Sequence, residues 1–246
     1  MEGKNKFTYQ NSLYDFPYHY LPSLEGGSVP RLHRQLTWGL DYLTYMSFVV
    51  EHISQYRPES LCDVGCGDGR LIHIVKDFVP KITGVDLSEL AVAFARAFNP
   101  EVEILHEDIA NIQQKYRMIT LIETLEHIPD QYMAEFVSNL TRIICRNGSL
   151  LVTVPTVNFP LNKKHYRHYN LQTLQNDLSP HFEIKEHWWL SRYSHTTRLL
   201  TRLLCNRFYL LNYSPALKLI WKIHKRFNFH VDSSTGAHLV CVAELA

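Results

Sequence analysis

The ten residues LCDVGCGDGR, Leu61 to Arg70, constrain the fold more than any other stretch of the chain. An apolar run ends in Asp63 and Val64, three glycines follow at alternate positions (Gly65, Gly67, Gly69), and Leu71, Ile72, Ile74 and Val75 then take up helical spacing. This pattern predicts a strand, a tight turn and a helix. Glycine serves where the backbone takes positive φ, or where a ligand comes closer than a Cβ permits. The helix N-terminus beyond it offers unpaired N–H groups to a polar ligand. The turn is therefore expected to cradle a cofactor. Arg70 stands where the third glycine of G-x-G-x-x-G would fall, which argues against a dinucleotide.

Strand-like and helix-like runs then alternate. Leu40 to Ile53 has helical apolar spacing and precedes the first strand. KITGVDLS ends a second strand at Asp86, and Glu89 to Phe98 is an Ala-rich helix stopped by Asn99-Pro100. VEILHEDI is a third strand ending near Asp108, RMITLIE a fourth ending at Glu123, Gln131 to Cys145 a helix and SLLVTVP a fifth strand. That order predicts an α/β fold, a parallel sheet with helices on both faces. Ligands of such sheets bind outside the carboxyl ends of the strands. Asp63, Asp86, Asp108 and Glu123, at or near four of those ends, should converge on one crevice.

The three glycines with the acid two positions before them resemble motif I of the class I S-adenosylmethionine (SAM) dependent methyltransferases, and the likeness covers roughly residues 45 to 187 plus the last strand. It implies a Rossmann-like, seven-stranded, mostly parallel sheet, with GAHLVCVAEL as the antiparallel last strand. The cofactor is then SAM, held by Asp63, Gly65, Cys66, Gly67, Gly69, Asp86, Leu87, Asp108, Ile109 and Glu123. In that family the acid matching Asp86, 17 positions beyond Gly69, accepts from both ribose hydroxyls, which suits a carboxylate. The one matching Asp108, beside Ile109, caps the adenine amino group.

After the fourth strand, ETLEHIPD spells E-x-x-E-H with Glu123, Glu126 and His127, and HYRHY follows with His165 and His168. The element resembles those of ubiquinone-biosynthesis O-methyltransferases and of small-RNA 3′-terminal 2′-O-methyltransferases. It implies His127 and Glu126 as catalytic groups, and a metal set of Glu123, Glu126, His127 and His168 for Mg2+ or another divalent ion.

The formal net charge of +1 hides an asymmetry: Trp188 to Val231 carries eight Lys and Arg and no acid, leaving 17 basic against 24 acidic residues elsewhere. Four parts are expected: an aromatic N-terminal cap (1–45), the SAM-binding core (46–187), a basic amphipathic helical insertion (188–232) and the last strand (233–246). The insertion suits a lid, a dimer contact or peripheral contact with an anionic membrane. The polar opening MEGKNKFTYQ and the lack of a long uncharged apolar run lead to a cytoplasmic expectation. The five cysteines form no C-x-x-C pair, so no zinc or disulfide framework is expected. The leading functional expectation is O-methylation of a small-molecule, glycan or lipid-linked hydroxyl. RNA 2′-O-methylation and a non-catalytic SAM-binding or scaffold protein are the alternatives. The oligomeric state is not legible.

Overall fold

A computed structural model describes residues 23–25, 29–31, 36–192, 199, 202–203, 206, 208–209 and 213–246. Most of the aromatic cap, and much of the first helix-like run of the basic insertion, lie outside them. A small antiparallel pair, β1 (Ser23–Glu25) and β2 (Val29–Arg31), precedes α1 (Leu36–Tyr56). Then come β3 (Leu61–Val64), α2 (Arg70–Val75), β4 (Ile82–Asp86), α3 (Glu89–Phe98), β5 (Glu103–His106), β6 (Tyr116–Ile122), α4 (Asp130–Ile143), β7 (Ile144–Pro155), α5 (Leu171–Leu178), β8 (Phe182–Arg192), α6 (Ser214–Phe227), β9 (His230–Val231) and β10 (Gly236–Leu245).

The order across the main sheet is β5-β4-β3-β6-β7-β10-β8-β9. The first five strands are parallel, and β10 runs antiparallel between β7 and β8. The sheet has eight strands instead of seven, because His230 and Val231 add a two-residue edge strand against β8. Trp188 to Arg192 also belong to β8, so the helical part of the insertion begins later than residue 188. Central strands covered on both faces read as continuous apolar runs, and every residue of β3 is buried. Their side chains feed two apolar clusters, Ile119, Leu121 and Leu150 with α4 in one, Leu61, Met118 and Leu151 with α1, α2 and α3 in the other. Local signals fix the helix starts: Ser88 caps α3 through the Ala91 N–H, and Asn170 with Thr173 forms a reciprocal box on α5.

From β3 the chain winds outward through β4 and β5, then returns to lay β6 and β7 on the other side. The winding reverses between β3 and β6, and there the crevice opens at the carboxyl ends.

Candidate active site

A cavity of about 860 Å³ fills this crevice. The turn on one wall takes positive φ at Gly65, Gly67 and Gly69 (75°, 55° and 75°), and of these Gly65 and Gly67 line the cavity while Gly69 does not. A Cβ on Gly65 would lie 2.6 Å from Thr124 Oγ1, and one on Gly69 2.7 Å from Asn99 Nδ2. Both glycines are thus required by conformation and by close packing. The amides of Gly65 and Cys66 donate to the Val85 carbonyl (2.8 and 3.1 Å). Asp86 accepts from Gly67 N (2.9 Å) through Oδ2 and from Ser88 N (2.8 Å) through Oδ1. Burial raises the Asp86 carboxyl, against these amide hydrogen bonds. Asp86 therefore also pins the glycine turn, with lone pairs left for a diol.

The other acids differ in placement. Asp63 lies beneath the turn, accepts from Thr120 Oγ1 (2.7 Å) and is pushed up to about 7 by burial. Asp108 caps a short 3-10 turn through Ala110 N (2.8 Å), with Ile109 buried behind it and Leu87 exposed at the rim. All four strand-end acids line the one cavity, as do Cys66, Leu87 and Ile109.

The opposite wall is built of side chains. Glu123 takes φ +53° just past β6, and its Oε1 accepts from Thr153 Oγ1 (2.9 Å) and meets His238 Nδ1 of β10 at 3.2 Å. Burial works to raise the Glu123 carboxyl, but His238 and Thr153 outweigh it and leave it lowered. Burial correspondingly works to lower His238, and Glu123 leaves it raised. Tyr45 of α1 lies against the His238 ring, centroids 4.7 Å apart. Glu126 is fully buried and neither carboxyl oxygen has a hydrogen-bond partner among the described residues. Burial, then the Glu123 charge, raises its pKa.

Carbonyl acceptors settle the histidine tautomers. The Lys164 carbonyl can only accept, so His127 Nδ1, 3.2 Å away, carries the proton and donates. His168 Nδ1 likewise donates to the Phe159 carbonyl (3.1 Å), so its Nε2 accepts from His165 Nδ1 (2.9 Å). In the neutral rings the lone pairs of His127 and His165 are then on Nε2. His127 Nε2 stands 3.9 Å from Glu126 Oε1, and ligand atoms of Glu126, His127 and His165 lie within 4.8 Å of one another.

Of the metal set expected from the sequence, this grouping contains Glu126 and His127 and brings in His165. Glu123 is engaged by His238, which lies two strands away from β6, and His168 orients His165 instead of joining the cluster. Sequence reasoning overlooked His238, Tyr45 and Lys164. The one signal for His238 was an imidazole amid the apolar GAHLVCVA.

A family model described as a methyltransferase domain matches residues 39–202, about two thirds of the chain. The chain belongs to this methyltransferase family. A protein of Mycolicibacterium smegmatis named a probable SAM-dependent methyltransferase is 30% identical over 135 residues, 50% of this chain and 52% of that protein. A ubiquinone biosynthesis O-methyltransferase of Alkalilimnicola ehrlichii is 28% identical over 114 residues, 43% of this chain and 45% of its own. The chain thus spans about half the length of the curated relatives it matches. Magnesium protoporphyrin IX methyltransferase from Synechocystis, solved with bound SAM, superposes with a TM-score of 0.59 at 16% identity, covering 97% of this chain and 96% of that one. That likeness places the sheet in the Rossmann-like methyltransferase fold. Among the described residues no helix is long and apolar enough to cross a membrane.

Proposed function

We propose that this chain transfers a methyl group from SAM to a hydroxyl oxygen of a small-molecule, glycan or lipid-linked acceptor, with His127 taking the hydroxyl proton. The supporting observation is the His127 ring, pinned through Nδ1 to the Lys164 carbonyl, with its basic nitrogen in the same cavity as the glycine turn and Asp86. The turn and the two-acceptor carboxylate of Asp86 fit a nucleoside with a vicinal diol, and Leu87, Asp108 and Ile109 border the space for its base. Bound there, SAM supplies a methyl group on a sulfonium. The protein holds the ribose, excludes water with the apolar lining and aligns the acceptor oxygen. Imidazole at Nε2 accepts a proton near neutral pH. The buried, uphill-shifted Glu126 beside it is suited to holding a hydrogen bond to the acceptor.

A divalent ion is the second reading, favoured by the two unpartnered Glu126 oxygens beside His127 and His165. A carboxylate with two imidazoles, each ring oriented by a hydrogen bond from Nδ1, fits a borderline divalent ion better than Mg2+, which prefers oxygen ligands. Such an ion would lower the pKa of the acceptor hydroxyl.

Methyl transfer to a panel of phenols, catechols, glycosides and amines, with and without chelator, tests both. Turnover on a hydroxyl acceptor is expected. Chelator-insensitive turnover would retire the ion and leave His127 as the base, and methylation confined to nitrogen or carbon would overturn the oxygen assignment.

A further inference from the structure

We infer that the outward face of α6 is a docking surface for an anionic membrane. The inner face of this helix is occupied: His224 is buried and its Nε2 lies 2.8 Å from Thr44 Oγ1 of α1, while Trp221 packs near Phe229. Thr44 Oγ1 already donates to the Leu40 carbonyl, so it accepts from His224. The outer face carries a second apolar stripe that no packing among the described residues explains. Leu219, Ile223 and Phe227 follow at four-residue steps and are 58%, 46% and 65% exposed. Residues four apart share one side of a helix. Lys218, Lys222 and Arg226 follow at the same steps as an adjacent exposed cationic row, with Lys225 beyond.

Two parallel rows, one apolar and one cationic, are what a helix lying in a bilayer interface requires: acyl chains take the first and anionic headgroups the second. The surroundings agree in sign. No Asp or Glu occurs between residues 188 and 231, and Leu199, Leu203, Phe208, Tyr209 and Tyr213 are also exposed. A second copy on this face would bring like-charged rows together. A nucleic acid would satisfy the cations but leave the Leu219–Ile223–Phe227 row without a partner. The surface also sits behind the cavity, since α6 packs on α1, whose Asp41, Tyr42 and Tyr45 line it. Docking would hold the cavity beside the bilayer, independently of which acceptor is methylated.

Co-sedimentation of the full chain with phosphatidylcholine vesicles, alone and with about one third phosphatidylserine, tests the inference. Binding is expected to the anionic vesicles only, and to fall with added salt. Each cation near an anionic leaflet contributes about fivefold, so K218Q/K222Q/R226Q should weaken binding about 100-fold. L219S/I223S should weaken it at least tenfold at unchanged charge. Neither variant touches the cavity, so SAM affinity and the melting temperature serve as controls for folding. Absence of binding to anionic vesicles, binding unchanged in both variants, or dimerisation through this face in sedimentation velocity would each overturn the inference.

Discussion

The glycine wall of the cavity is held mostly by backbone amides and carbonyls of residues 63–88, with Asn99 and Thr124 packed against it, whereas the wall facing it gathers side chains from Tyr45, Glu123, Glu126, His127, Lys164, His165, His168 and His238. The difference is one of range. Backbone conformation at Gly65 to Gly69 is set mainly by the glycines themselves, the Val85 carbonyl and Asp86, with Asn99, just past α3, donating to the Gly69 carbonyl at 3.2 Å. The position of His238 depends on the register of β10 against β7, which sets His238 opposite Pro155 and carries its ring toward the end of β6. One wall is a motif, the other a product of the whole fold. The first suits an invariant cofactor, and the second can vary with the acceptor.

This separation is open to direct challenge. His127→Gln should reduce turnover by about 10²- to 10⁴-fold with SAM affinity unchanged, as read by initial rates and calorimetry. A parallel loss of SAM affinity would break the separation of the two walls.

His238→Ala removes one partner of a half-buried carboxylate that keeps its Thr153 hydrogen bond, and should cost about 1.5–3 kcal/mol of stability near pH 6, seen in urea titrations. Glu123, with its folded pKa lowered, contributes stability present above about pH 4.3 and lost as pH falls through the folded value. His238, with its folded pKa raised, contributes stability present below about pH 6.5 and lost as pH rises through the folded value. The gap between wild type and His238→Ala should therefore be widest from about pH 4.5 to 6.5 and narrow on both sides. A gap that does not vary with pH would reduce the pair to packing.

Gly69→Ala places a side chain at φ +75° against Asn99 and Ala95. It should destabilise the fold by about 1–3 kcal/mol and weaken SAM binding with it. The pH-dependent counterpart on the same wall is Asp63→Asn. A buried carboxyl pushed up to about 7 lowers stability as pH climbs from its unfolded value toward 7. The amide variant should therefore gain up to about 4 kcal/mol on wild type over that range and level off above it, measured by thermal melts at several pH values.

Legibility in the sequence follows the same division. The order of strands and helices, the positive-φ glycines and the meeting of Asp63, Asp86, Asp108 and Glu123 all came from local patterns with fixed periods. Glu126, His127 and His165 were visible as residue types, but their grouping was not. It depends on the loop after β7, whose Tyr166 N–H donates to the Glu126 carbonyl at 2.8 Å. His238 gave almost no signal, because a lone imidazole in an apolar strand reads as a core residue until strand register is known. The edge strand His230–Val231 was too short for periodicity to reveal.

In the proposed function Asp86 and the glycine turn hold SAM while the histidine wall acts on the acceptor. Calorimetric titration of SAM into wild type, Asp86→Ala and His127→Gln tests it most directly. Wild type and His127→Gln should bind with equal affinity and Asp86→Ala about 100-fold more weakly, the equivalent of about 2.7 kcal/mol for a charge-assisted pair of hydrogen bonds. Absence of heat with wild type, or undiminished affinity in Asp86→Ala, would contradict it.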